Sequence, residues 1–204
     1  MTDEAVSALR AGQLVVLPTD TVYGLCCDGY REPPFRRLTK LKGRPESMPV
    51  ALLAADLDVI LDAVPEARGR AAVVARALLP GPYTLVLPNP ARRFRWLCGT
   101  TPEAIGLRVP ALPPASRAVV ERAGALAATS ANLHGGPDPA RLEDVPREIL
   151  DGCGAVVDAG ELPGTPSTVV DLTGPEPLVL REGAVPAEEV VAEVLRVFPG
   201  GVNS

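Results

Sequence analysis

Histidine, lysine and aromatic side chains are scarce in this sequence. Its 204 residues hold one histidine, His134, one tryptophan and an aromatic share of 3%. A catalytic histidine pair and a histidine-rich metal centre are therefore excluded. The four cysteines, Cys26, Cys27, Cys98 and Cys153, form no C-x-x-C pair, and a zinc site would have to be improvised from scattered ligands. Neither disulfides nor a structural metal are expected. No run of eighteen apolar residues exists, and the amino-terminal segment lacks the basic stretch and apolar run of a signal peptide. A soluble, cytoplasmic protein without a membrane anchor is expected. Both common phosphate-binding signatures, G-x-x-x-x-G-K-[ST] and G-x-G-x-x-G, are absent, so a nucleotide would have to be held by another fold. There is no internal repeat, and the 23 prolines and 19 glycines are spread along the chain as loop punctuation.

What is present suits one globular unit. A hydrophobic share of 47% over this length supports a single domain spanning 1–204, with a core of about 5–197 and a frayed tail at 198–204. A net charge of −5 argues against a surface that coats nucleic acid, because neutralising phosphates needs a clustered positive field. Basic residues nevertheless gather in one short segment, Arg31, Arg36, Arg37, Lys40, Lys42 and Arg44. A local anion site fits that distribution.

Periodicity and breakers predict alternating helices and strands. An amphipathic opening segment ends at Gly12, and the apolar run Leu14 to Leu17, stopped by Pro18, reads as a buried strand. Further strands are expected at Val50–Ala54, Tyr83–Leu87, Ile105–Val109, Ala125–Ala128, Ala155–Val157, Thr168–Asp171 and Leu178–Arg181. Helices are expected at Pro33–Leu41, Val73–Leu79, Pro114–Ala123 and Pro186–Val197. This order predicts a mixed α/β (α+β) fold, one twisted sheet flanked by helices.

The chemistry-bearing residues fall at the ends of these elements. The chain carries eighteen arginines and only two lysines, Lys40 and Lys42, both beside Arg44. In Lys42-Gly43-Arg44-Pro45 the glycine and proline turn the backbone so that two cations diverge around one anion, the arginine binding phosphate as a fork and the lysine as a mobile point charge. The competing reading is a solvated helix end whose cations face the terminal carbonyls. Pro18-Thr19-Asp20-Thr21-Val22-Tyr23-Gly24-Leu25 places hydroxyls, a carboxylate and a tyrosine after a buried strand, where ligand crevices form in α/β sheets; an ordinary polar turn is the alternative. Thr129-Ser130-Ala131-Asn132 sends Ser130 and Asn132 to one side if extended, although both types also cap helices. His134, in a Gly-Gly loop, is expected in solvent. Arg108, at the end of an apolar strand, would be costly to bury without an anion. Ser167-Thr168 and Arg181 repeat the pattern of polar groups at strand ends.

Taken in order, P-T-D-T-V-Y-G-L, K-G-R-P, G-P-Y-T-L-V-L, G-L-R-V-P, T-S-A-N, S-T-V-V-D and L-R-E-G-A resemble the YrdC-like family of threonylcarbamoyl-AMP synthases from about Leu14 to Ala184. The resemblance implies a YrdC-like sheet around a concave cleft that holds a nucleotide. It implies an enzyme, a nucleotidyltransferase making threonylcarbamoyl-AMP and pyrophosphate from ATP, bicarbonate and L-threonine for t6A modification of tRNA. By the same resemblance Lys42 and Arg44 are the catalytic pair on the ATP phosphates, with Asn132 and Arg181 on the nucleotide side. Thr21, Arg108, Ser130 and Ser167 match positions that hold threonine. Mg²⁺ is expected with ATP, and transient contact with the tRNA threonylcarbamoyl-transfer complex is expected of the product. Asp20 is a candidate metal-side or amine-side carboxylate. The sequence departs from the family at Leu53, where some members have histidine near threonine, at Met48, where some have asparagine near ATP, at Ala140, which replaces a hydroxyl-bearing residue, and at Cys26, which replaces glycine. Longer relatives carry a second domain, and this chain reads as the short, stand-alone form. Two other functions fit: a YciO-like paralogue with a different acyl or amino-acid substrate, and a module that binds RNA through the basic segment.

Overall fold

The computed structural model describes residues 1–65, 67 and 69–197; the tail at 198–204, expected to fray, lies outside the described residues. The chain forms α1 (Thr2–Arg10), β1 (Leu14–Pro18), β2 (Tyr23–Asp28), α2 (Glu32–Lys42), β3 (Ala51–Leu53), α3 (Leu57–Ala63), α4 (Arg70–Leu78), β4 (Tyr83–Pro88), β5 (Ala104–Arg108), α5 (Pro114–Ala123), β6 (Leu126–Ser130), α6 (Arg147–Asp151), β7 (Cys153–Val156), β8 (Thr168–Asp171), β9 (Leu178–Arg181) and α7 (Ala187–Val197). The strands make one mixed sheet in the order β7-β1-β2-β6-β3-β5-β4-β8-β9. β1 runs parallel to β7, β3 to β5 and β4 to β8, and the other neighbours are antiparallel.

Strand periodicity explains the layering. Successive side chains point to opposite faces, so Val15, Leu17, Cys26, Leu53 and Leu126 pack on one face against Ala5 and Leu9 of α1 and Val119 and Val120 of α5. Leu14, Val16, Leu25, Cys27, Leu52 and Ala127 face the other way, onto Phe35 and Leu38 of α2, Ile60 of α3, Val74 of α4, Ile149 of α6 and Val190 of α7. With both faces covered, β1 is buried at every position and reads as one apolar run. All four cysteines are free thiols; burial pushes Cys26 and Cys153 up to about 12, so they behave as small apolar residues.

The expected strands and helices all form, three of them (Pro114–Ala123, Thr168–Asp171 and Leu178–Arg181) with the expected bounds and the others with ends shifted by up to three residues. Three elements were not foreseen. Tyr23–Asp28 is a strand, buried at its first five positions, although its polar approach reads as a loop; a fully buried strand has no alternation to reveal it. α3 and α6 are too short for a periodic signal, and α3 is marked only by its cap, where the Asp56 carboxylate accepts the Val59 N–H at 3.0 Å.

The end of α2 positions the first functional segment. Its first turn holds prolines, which need no N–H there. At its end Gly43 adopts φ 67°, a left-handed conformation that a β-carbon disfavours. The Gly43 N–H bonds the Lys40 carbonyl at 3.2 Å and the Arg44 N–H bonds that of Thr39 at 2.9 Å, a double closure typical of helix ends. Lys42 therefore leaves the helix on one side of the turn and Arg44 on the other.

Candidate anion-binding site

Lys42 is 3% exposed. Its Nζ donates to the Ser130 carbonyl at 2.6 Å, to the Asn132 carbonyl at 2.8 Å and to Asn132 Oδ1. Ser130 Oγ donates to the same Asn132 Oδ1 at 2.8 Å, and Asn132 Nδ2 donates to the Gly136 carbonyl at 2.5 Å. The His134 N–H returns to the Lys42 carbonyl at 2.8 Å, while the His134 side chain is exposed. The mobile lysine expected from the sequence is thus corrected. All three ammonium protons are committed to the end of β6 and the loop after it, because helix α2 delivers Lys42 into the protein and not outward.

Burial and, after it, the charge of Arg44 push the Lys42 ammonium down to about 8, against the opposing charge of Asp138. Burial likewise holds Arg44 below the usual guanidinium range, with the charge of Arg181 adding to the effect. Arg181 is lowered by burial and by Arg108, and Asp138 again opposes. Lys42, Arg44, Arg181 and Arg108 therefore share one electropositive neighbourhood in which like charges repel, with Asp138 offsetting Lys42 and Arg181 and Asp20 offsetting Arg108. Arg44 donates to the Pro49 carbonyl at 2.8 Å, but its Nε is buried with no acceptor. A buried unpaired donor costs about 1–3 kcal/mol. Such crowding of partly desolvated cations favours a polyanion.

The remaining residues flank this neighbourhood. Arg108, the last residue of β5, donates through one terminal nitrogen to Asp20 at 2.7 Å, to Thr21 Oγ1 at 2.6 Å and to Thr19 Oγ1 at 3.4 Å. Its side chain is 12% exposed and that of Asp20 10%, so the cation has the partner that burial demands. The second Asp20 oxygen accepts the Ala111 N–H at 3.1 Å; this carboxylate orients Arg108. The Arg108 Nε is a second buried donor without acceptor. Just before β8, Ser167 accepts Arg181 on its carbonyl at 2.8 and 3.2 Å and on Oγ at 3.2 Å, and its hydroxyl lies 2.9 Å from that of Thr84. Three groups result: Thr21 with Arg108, Lys42 with Ser130 and Asn132, and Ser167 with Arg181. Charge links them in series, Lys42 to Arg44, Arg44 to Arg181 and Arg181 to Arg108.

Of the sequence departures, Leu53 and Cys26 lie in the core and Met48 is at the surface. Sequence reasoning missed Asp138, Thr84 and a strap built on Tyr23. The Tyr23 ring is fully buried. Its hydroxyl lies 2.6 Å from Asp158 and 2.8 Å from the Gly160 carbonyl, and accepts the Ala159 N–H at 3.1 Å. Burial, with Asp158 beside it, pushes the phenol up to about 12, so it stays a donor. Backbone bonds from Tyr23 N–H to Pro139 and from Gly164 N–H to the Thr21 carbonyl, both 2.9 Å, tie the 138–164 loops over the turn that carries Thr21. The tyrosine was visible in the sequence; its partners, more than a hundred residues away, were not.

Fold and site define an α/β protein that brings together the buried Lys42, the partly buried Arg44 and Arg108 and the exposed Arg181, with hydroxyls beside them, an arrangement suited to an anionic ligand. The profile of the family Sua5/YciO/YrdC, described as telomere recombination, matches residues 7–183, and the chain belongs to that family. It is 34% identical over 201 residues to a threonylcarbamoyl-AMP synthase of Pyrococcus abyssi, covering 96% of this chain and 58% of that protein. The structure of P. abyssi Sua5 complexed with L-threonine superposes with a TM-score of 0.86 at 32% identity, over 98% of this chain and 58% of the other. Escherichia coli YciO superposes with a TM-score of 0.81 at 26% identity, over 92% and 91%. The chain thus spans little more than half of the archaeal proteins and nearly all of the bacterial one.

Proposed function

We propose that this chain is an L-threonylcarbamoyladenylate synthase, a nucleotidyltransferase acting on ATP, bicarbonate and L-threonine in the t6A modification of tRNA. The observation that carries the reading is the cation neighbourhood of Lys42, Arg44, Arg181 and Arg108, bordered by Thr21, Ser130 and Ser167, in a relative of a named synthase. Arg44 and Arg181 would meet the phosphates with planar forks. Lys42 would hold Ser130 and Asn132 in place and add its charge from beneath. Arg108, oriented by Asp20, would take the threonine carboxylate, with Thr21, Ser130 and Ser167 as hydroxyl partners and Asn132 on the nucleotide side.

The threonine amine and bicarbonate give N-carboxythreonine and water. Its new carboxylate attacks the α-phosphorus of ATP, and the bond to the β,γ-phosphates breaks, releasing pyrophosphate and leaving threonylcarbamoyl-AMP. No protein nucleophile takes part; the contribution of the chain is positioning and neutralisation of charge on the leaving group. Mg²⁺ would arrive on the phosphates. Among the described residues no three His, Cys, Asp or Glu side chains gather to hold a metal, and both Asp20 oxygens are engaged. Asp138, beside Lys42 and Arg181, is the residue suited to a metal carried on phosphate, where the ion would withdraw charge from the leaving group.

Among the described residues no helix is long and apolar enough to cross a membrane; a cytoplasmic enzyme handing its reactive product to the transfer complex completes this reading. The likeness to YciO keeps a paralogous activity in view. Mass-spectrometric detection of AMP adducts after incubation with threonine, serine or no amino acid separates the two. An adduct formed only with threonine supports the synthase, and one independent of threonine supports the paralogue. The RNA-binding reading is weakened because Arg31 pairs with Asp28 at 2.6 Å and Arg36 with Glu32 and Glu46 at 2.7 and 3.4 Å, which neutralises part of the basic segment.

A further inference from the structure

Arg44 sits on a segment with little structure of its own. Between α2 and β3, residues 44–50 make one local turn, Met48 N–H to the Pro45 carbonyl at 3.0 Å. The guanidinium is fixed by its bond to the Pro49 carbonyl at 2.8 Å, so the position of Pro49 decides the position of Arg44.

Pro49 is held from outside the site, by the connection between β4 and β5. The Val50 N–H donates to the Leu97 carbonyl at 2.9 Å. Two residues on, Gly99 has φ +59°, and a β-carbon there would lie 2.3 Å from the Ser47 carbonyl oxygen and 2.9 Å from Pro49 N. Both are backbone atoms that no side-chain rotation can clear. The connection is itself rigidly built. Asn89 is fully buried, donates to the carbonyls of Arg93 and Pro102 at 2.8 and 2.9 Å, and accepts the Arg93 N–H at 3.0 Å. Arg92 and Phe94 take left-handed φ values of 52° and 49°, a conformation that persists in such residues only when the surroundings enforce it.

We infer that Gly99 is a positioning residue for Arg44: its missing side chain lets the 89–103 connection clamp the Ser47–Pro49 backbone, which aims the guanidinium at the anion. The inference rests on the proposed function for the identity of the anion. Gly99 does not itself meet substrate. A side chain at 99 displaces Pro49, releases Arg44 from its carbonyl and weakens the grip on phosphate while leaving Arg108 and Thr21 untouched.

The test is a double-mutant cycle on the full chain, read by calorimetric titration with ATP and, separately, with threonine. Gly99→Ala is expected to weaken ATP binding by about tenfold and to leave threonine binding as it was. In an Arg44→Ala background the same change is expected to add nothing, because the residue it positions is gone. Asn89→Ser loosens the connection without introducing a clash and carries the same expectation should Gly99→Ala fail to fold. Unchanged ATP affinity in the folded variant, or penalties that multiply in the double variant, would overturn the inference and leave the proposed function standing. No ATP binding by the unaltered chain would overturn both.

Discussion

Lys42 joins two roles that a lysine seldom combines, a buried structural donor and part of a charged site. Replacing it with methionine keeps the stem and removes the ammonium, stranding three oxygen acceptors at Ser130 and Asn132. Lys42→Met is expected to lower thermal stability by about 1–3 kcal/mol and to reduce turnover by about a hundredfold or more, read by calorimetry and by pyrophosphate release. Its titration supplies a sharper test. The folded-state value is near 8, below the 10.5 of the unfolded chain. Below pH 8 both states hold the proton and burial of the charge opposes folding in full. Between pH 8 and 10.5 the unfolded chain binds more protons, so this opposition fades and the Lys42 contribution to stability rises with pH. ATP affinity should fall over the same window, because the ammonium that attracts the anion is lost. Wild-type and Lys42→Met proteins compared from about pH 8 to pH 10.5 should show both trends only in the wild type. For Arg108 the geometry predicts selectivity. Arg108→Lys keeps the charge but removes the planar fork suited to a carboxylate, and threonine affinity should fall by about tenfold or more while ATP affinity holds. Equal losses for both ligands in titration would contradict the assignment.

Elements carry these residues with different degrees of sequence signal. β1, β5 and β8 announce themselves as apolar runs, and the polar residue that ends or precedes each, Pro18-Thr19, Arg108 and Ser167, could be placed from the pattern. Lys42 was placed correctly beside Arg44 but with the wrong freedom, since helical phase decides whether a lysine points inward and a single turn of sequence does not fix that phase. β2 stayed hidden because burial on both faces removes alternation. Asp138 and Asp158 stayed hidden because long-range contacts give a loop residue its role. Tyr23 joins these levels, a residue of β2 whose hydroxyl fixes a loop 135 positions away. Tyr23→Phe leaves the Asp158 carboxylate and the Ala159 N–H without their partner, and denaturant unfolding should show a loss of about 1–2 kcal/mol. Hydrogen exchange should rise in the 158–164 segment and not in the core of β1.

At the scale of the whole molecule, the sheet order brings together residues far apart in sequence. β6 lies between β2 and β3, and β8 next to β4. The crossovers gather Thr21, Lys42, Arg108, Ser130, Ser167 and Arg181 around a shared positive field, which Asp20, paired with Arg108, and Asp138 offset in part and a bound anion would offset further. This is why catalysis by positioning, without a nucleophilic side chain, suits the chain. The most direct test follows pyrophosphate release by purified protein supplied with ATP, magnesium, bicarbonate and L-threonine, with each component omitted in turn and with Arg44→Ala in parallel. The account predicts release that requires both threonine and bicarbonate and collapses in Arg44→Ala. Release that proceeds without threonine, or that survives unchanged in Arg44→Ala, would contradict it.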